Sequence, residues 1–99
     1  MVKHVVLFKF KAFETPEDKT STLSNIKHAL ENLIETVPSL KSIEVGLNAN
    51  KNEEFDLVLT TTHDDWAGLQ AYAVHPEHVK VGQMIGPYKE ARSCVDYEF

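Results

Sequence analysis

Ninety-nine residues with an apolar share of 42%, a charged share of 25% and a net charge of −5 describe one ordinary globular domain. A chain of this size buries roughly two-thirds of its unfolded surface, enough for one core with little margin. The acidic balance, with no basic cluster, argues against nucleic acid as a partner, because that binding is dominated by neutralisation of phosphates. No apolar run approaches the roughly 20 residues of a membrane span. The opening MVKHVVLFKFK carries lysine at positions 3, 9 and 11, which interrupts the apolar stretch a signal peptide needs. A single cysteine, Cys94, excludes an intramolecular disulfide and fits a reducing compartment, so a cytoplasmic protein is expected.

Val2 to Lys11 alternates in two registers at once. Val2, His4, Val6, Phe8 and Phe10 face one way and Val5 and Leu7 the other, so both faces of this strand demand burial. Thr15-Pro16-Glu17-Asp18 supplies a capping residue, a proline at the first helical position and acids in the positively polarised first turn, which predicts a helix from there. Its apolar positions Leu23, Ile26, Leu30, Leu33, Ile34 and Val37 recur at three- and four-residue steps until Pro38 ends it. Ser42 to Leu47 reads as a short strand with Ile43, Val45 and Leu47 on one face. The asparagine-rich residues 48–53 suit a hairpin connection, after which Phe55, Leu57, Leu59 and Thr61 share a strand face. Asp64 or Asp65 can cap the next helix, whose buried side is expected to include Trp66, Leu69 and Ala73.

His75 precedes Pro76, and proline disfavours the α conformation in the residue before it while suiting a helix's first turn. One helix therefore ends near Val74 and another starts at Pro76, stopping at Gly86-Pro87. Residues 91–99 close the chain as a strand with Ser93, Val95, Tyr97 and Phe99 on one face and Cys94, Asp96 and Glu98 on the other. The order β-α-β-β-α-β, with its second helical region split, defines an α+β, ferredoxin-like fold: a four-stranded antiparallel sheet with helices on one face, in a single domain over 1–99. The second apolar face of the first strand then predicts a homodimer in which two sheets pack face to face into an α/β barrel. An aromatic C-terminus would fray unless held, so Phe99 is expected to pack near that interface.

Three residues are candidates for chemistry. His78 shares a helical face with Val81, Gly82 and Ile85, so its imidazole lies along an apolar stripe, as a general base at a pocket rim or as a hydrogen-bonded structural histidine. Tyr72 could hydrogen-bond a developing enolate oxygen, or pack its ring and leave its hydroxyl wet. His4, on the strand face of Val6 and Phe8, could hold the base or the substrate, or be a buried histidine satisfied by the main chain. His75 reads as a cap on the helix that follows it. His75 and His78 are three apart, but His75 lies outside the helix and no nearby cysteine or carboxylate completes a ligand set, so no metal and no cofactor is expected. Haem would have His4, His63 or His78 to choose from, with nothing to distinguish them. Cys94 reads as a small apolar packer, His28 and His63 as exposed helix and loop positions, and Trp66 as core or interface.

The opening KHVVLFKFK, the helix stopped by Pro38, the stretch AYAVHPEHVKVG over 71–82 and the terminal VDYEF together resemble the stress-responsive α/β-barrel (Dabb) family. The resemblance covers nearly the whole chain, and His75-Pro76-Glu77-His78, with Tyr72 before it and His4 on the first strand, is its most specific part. It implies a dimeric α+β barrel with a cavity between sheet and helices. Members include stress-induced plant proteins, antimicrobial proteins, ring-forming assemblies and a polyketide cyclase that performs a cofactor-free aldol condensation. In that cyclase the equivalents of Tyr72 and His78 position the substrate and abstract a proton. Two readings follow: a homodimeric barrel of unsettled role binding a small apolar or aromatic ligand, or a cofactor-independent enzyme of the cyclase, isomerase or monooxygenase kind using His78 and Tyr72. The sequence leaves open whether it is an enzyme.

Overall fold

The two-register alternation of the first strand resolves in favour of one face. In a computed structural model describing residues 1–99, Val2, His4, Val6, Phe8 and Phe10 are all buried, while Val5 is half-buried and Leu7 exposed. The elements are β1 (Val2–Phe10), α1 (Pro16–Glu31), β2 (Ser42–Leu47), β3 (Leu57–His63), α2 (Trp66–Val74), α3 (Pro76–Ile85) and β4 (Lys89–Glu98). The strands form one antiparallel sheet in the order β2-β3-β1-β4. The helices cover the face that carries Val6, Leu57 and Leu59, giving the ferredoxin-like α+β arrangement read from the sequence.

Local signals place the helices. Thr15 Oγ1 accepts from the amide of Asp18 at 3.0 Å and starts α1, and Asp65, rather than Asp64, caps α2 by accepting from the amide of Gly68 at 2.7 Å. Leu23, Ile26 and Leu30 of α1 are buried against the sheet. Each such aliphatic side chain contributes about 1.5–3 kcal/mol by leaving water. The helix does not run intact to Pro38: it gives way to a tighter 3₁₀ turn over Asn32–Glu35. That rewinding keeps Leu33 and Val37 in the core and turns Ile34, expected to be buried, out to solvent.

Three further expectations are corrected. The third strand begins at Leu57 instead of Phe55, which is only half-buried. On α2 the fully buried residue is Tyr72, whereas Trp66 and Ala73 are exposed. Trp66 lies outside the core of the chain, and its Nε1–H donates to Glu98 at the end of β4, 3.0 Å away.

β4 is the polar edge of the sheet. Its residues on the helix side pair with apolar β1 neighbours, Arg92 with Phe8 and Cys94 with Val6, and Asp96 pairs with His4. All of β4 except half-buried Ala91 is exposed. On the other face Val95 lies opposite Val5, and Leu7, Val95, Tyr97 and Phe99 remain exposed within one chain. Phe99 is tied to Met1 by main-chain bonds of 3.1 and 3.2 Å, while its ring, 58% exposed, carries the Lys3 ammonium 4.8 Å from its centroid. No helix is long and apolar enough to cross a membrane.

Candidate functional site

Pro76 builds the site. His75, forced into an extended conformation with ψ 135°, accepts the amide of Glu77 on its Nδ1 at 3.1 Å, as its reading as a cap anticipated. The amide of residue 77 is thereby lost to the Ala73 carbonyl, which in an unbroken helix it would have joined. The Nδ1–H of His78 takes its place and donates to Ala73 O at 3.0 Å. One nitrogen is thus committed to the main chain, and Nε2 keeps its lone pair. Burial holds the His78 imidazole below its ordinary pKa against the Ala73 hydrogen bond, helped by the nearby His4, Arg92 and His75, so the ring is neutral at neutral pH.

His78, Val81, Gly82 and Ile85, the stripe read from α3, together line one cavity of about 150 Å³. Its opposite wall is Val6 and Phe8 of β1 with Leu59 of β3, Leu30 of α1 closes it, and His4 adds a second imidazole. Lys89 and Arg92 of β4 supply its only charged side chains. The cavity is of mixed character, aliphatic and aromatic on its α1, β1, β3 and α3 walls and polar at His4, His78, Lys89 and Arg92; convergent polar groups in an apolar frame are what small-molecule sites share.

Tyr72 lies beside this cavity and is not part of its lining. Its ring is packed among three imidazoles, with centroids 4.4 Å from His78, 5.0 Å from His63 and 6.3 Å from His4. The residue is 1% exposed, and its hydroxyl has no hydrogen-bond partner in the protein. Burial pushes its pKa up to about 12, so it is a donor at any physiological pH. A buried hydroxyl left unpaired costs about 1–3 kcal/mol, which marks this one for explanation.

His4 is held from the other side. Its Nδ1 is 2.5 Å from Asp96 Oδ1, and the Cys94 thiol donates to the same carboxylate at 3.3 Å. Burial would raise the Asp96 carboxyl, but the hydrogen bonds from His4 and Cys94, with the proximity of His4 and Arg92, outweigh it and hold the group below the usual carboxylate range. Cys94 is therefore no apolar packer. The residue is exposed at the sheet edge, but partial desolvation of its sulfur and the Asp96 carboxylate raise the thiol pKa against the Arg92 charge and hydrogen bond.

His63 departs furthest from its sequence reading. Expected on an exposed loop, it ends β3, is completely buried, and has both ring nitrogens engaged: Nδ1–H donates to Ser39 O and Nε2 accepts from Thr61 Oγ1, each at 2.9 Å. Burial lowers its pKa against the Ser39 hydrogen bond. With no free nitrogen it serves as a structural wall behind Tyr72.

The set of metal-type donors missed in the sequence is also here, around His4 instead of His75 and His78: the ligating atoms of His4, Cys94 and Asp96 lie within 4.8 Å of one another. Residues 4, 94 and 96 meet only through β1–β4 pairing. The Arg92 charge, which acts on both Cys94 and Asp96, opposes a cation at this place. The same strand holds the site residues that sequence reading overlooked, Arg92, Lys89 and the role of Asp96. The i, i+2 spacing of Arg92, Cys94 and Asp96 was the available signal.

Fold and site define a ferredoxin-like α+β domain with a histidine-bearing cavity between its helices and the inner face of its sheet. The chain belongs to the stress responsive A/B barrel domain family, whose model matches residues 2–99. It is 27% identical to olivetolic acid cyclase of Cannabis sativa, across 97% of this chain and 94% of that one. It is 29% identical to the stress-response A/B barrel domain-containing protein DABB1 of Arabidopsis thaliana across 98% of its length, but spans only 46% of that relative. A solved structure from Bacteroides fragilis, a dimeric ferredoxin-like protein of unknown function, is 41% identical and superposes with a TM-score of 0.93 over 99% of this chain and 95% of that one.

Proposed function

We propose that this protein is a homodimer whose cavity binds a small apolar carbonyl compound, and that His78 Nε2 removes a proton from it without a cofactor. The observation that carries this reading is the tethering of Nδ1–H to Ala73 O, which leaves the opposite nitrogen of a neutral imidazole without a protein partner on a residue that lines the cavity. A base so oriented takes the proton from a carbon next to the carbonyl, and the C–H electron pair passes into an enolate. The enolate oxygen requires a donor. The Tyr72 hydroxyl, buried against His78 without a partner, is available for it once a ligand draws it toward the cavity. His4, aligned by Asp96, positions the ligand. The name of the cyclase relative fits this class of chemistry. Dimerisation is supported by the exposed Leu7, Val95, Tyr97 and Phe99 and by the dimeric Bacteroides fragilis relative.

A second reading, ligand binding without turnover, draws support from the position of Tyr72 outside the cavity lining. Deuterium uptake at the methyl group of acetophenone in D₂O separates the two. Acceleration by the wild type that is lost in His78→Ala supports proton removal. Saturable binding of acetophenone, seen as perturbation of the His78 ring resonances without faster exchange, decides for binding alone. No binding at all would remove both readings.

A further inference from the structure

We infer that the natural ligand of this cavity is a small apolar carboxylic acid, its carboxylate held by Arg92 with Lys89. This rests on the reading of the cavity as a ligand site and names the class of ligand. The chain has 15 acidic residues against 10 basic ones, yet the only charged side chains lining the cavity are two cations. Arg92 is the single arginine of the sequence.

Neither cation has a carboxylate within ion-pair distance, although Arg92 is near enough to Asp96 to lower its pKa. Lys9, Lys19, Lys27, Lys41 and Lys80 each lie within 4.0 Å of an acidic partner, whereas Arg92 and Lys89, like Lys3, Lys11 and Lys51 elsewhere on the surface, form no ion pair. Asp96 is the natural candidate for Arg92, sharing its strand and face. It is already engaged by the His4 ring at 2.5 Å and the Cys94 thiol at 3.3 Å. The Arg92 guanidinium, opposite Phe8 in the sheet, lines the hollow; it engages the Cys94 side chain and feels the Asp96 charge, but a guanidinium carries five N–H donors and the rest of its fork stays open to a ligand.

A guanidinium presents its N–H groups in a planar fork that matches a carboxylate, so Arg92 can take one bidentately at the open β4 rim. The remaining lining, from Leu30 and Leu59 to Val81 and Ile85, suits a hydrocarbon body. At about 150 Å³ the hollow is the size of apolar cavities that accept benzene. The ligand therefore has an anionic head at the β4 rim and an aromatic or short aliphatic body that reaches the imidazole end, where a further carbonyl on that body would meet His78.

Phenylacetate and phenylacetamide share a shape and differ in charge, which makes them the probes. Binding of each to the full chain is followed by the His78 ring resonances at neutral pH and low salt. The acid should bind at least about tenfold more tightly than the amide, because a hydrogen bond to a charged group outweighs one between neutral groups. Arg92→Gln should bring the acid down to the amide's affinity while leaving the amide unchanged, and Lys89→Gln should do so in part. Arg92 is exposed, so its variant is expected to fold, as a wild-type circular dichroism spectrum would show. Equal binding of acid and amide by the wild type overturns the inference and leaves the cavity reading standing. Binding of neither overturns both. A preference for the acid that survives both substitutions overturns the assignment to Arg92 and Lys89.

Discussion

The Nδ1 of His78 lies 3.0 Å from the carbonyl oxygen of Ala73, five residues earlier and across the Pro76 break. This bond satisfies a carbonyl at the C-terminal end of α2 and sets the tautomer of the imidazole, so the helix break and the free Nε2 have one cause.

Buried His63 and half-buried His78 make stability depend on pH. His63 and His78 are both held below the ordinary value of 6.5, first by burial, so the unfolded chain binds protons that the native state refuses. Their contribution is fully present above about 6.5 and is lost as pH falls through that value toward the folded pKa. The urea midpoint should therefore drop between pH 7.5 and pH 5.5, and drop less in His63→Gln. A midpoint that stays constant or rises over this interval contradicts the burial of neutral imidazoles.

Tyr72→Phe keeps the ring among its three imidazoles and removes a hydroxyl that has no partner. Urea unfolding of the ligand-free protein should show unchanged stability or a gain of up to about 1 kcal/mol, whereas Tyr72→Ala should lose about 3–5 kcal/mol. If Phe also costs several kcal/mol, the hydroxyl has a structural partner and cannot be the donor kept for an enolate.

The outer sheet face should govern assembly. Val95 is 64% exposed and lies opposite Val5, so Val95→Glu places a charge at the centre of the proposed dimer interface. Sedimentation should show a wild-type dimer at micromolar concentration and a monomer for this variant. Deleting Tyr97 to Phe99 should weaken the dimer several-fold. A stable wild-type monomer, or a dissociation constant that neither change affects, would show that the face is not the interface.

Local signals carried most of the fold. The caps Thr15, Asp65 and His75, the proline starts at Pro16 and Pro76 and the alternation of β1 each act within a few residues, and each stands where it was read. Misread positions were those where distant contacts prevail. Trp66 is turned outward by a bond to Glu98 across 32 residues, and His63 is drawn inward by Ser39, 24 residues away. Ile34 emerged because the helix tightened to keep its neighbours Leu33 and Val37 buried.

By itself, the sequence determined the element order, the break at His75–Pro76 and the alignment of His78 with Val81, Gly82 and Ile85, because caps, proline geometry and helical period depend only on neighbouring residues. Tertiary structure decided the site. Pairing of β1 with β4 brings His4 to Asp96 across 92 residues, Tyr72 is enclosed by imidazoles from three other elements, and Arg92 comes to line the cavity. These relationships arise from strand register and helix packing, which a chain settles only when its distant parts meet.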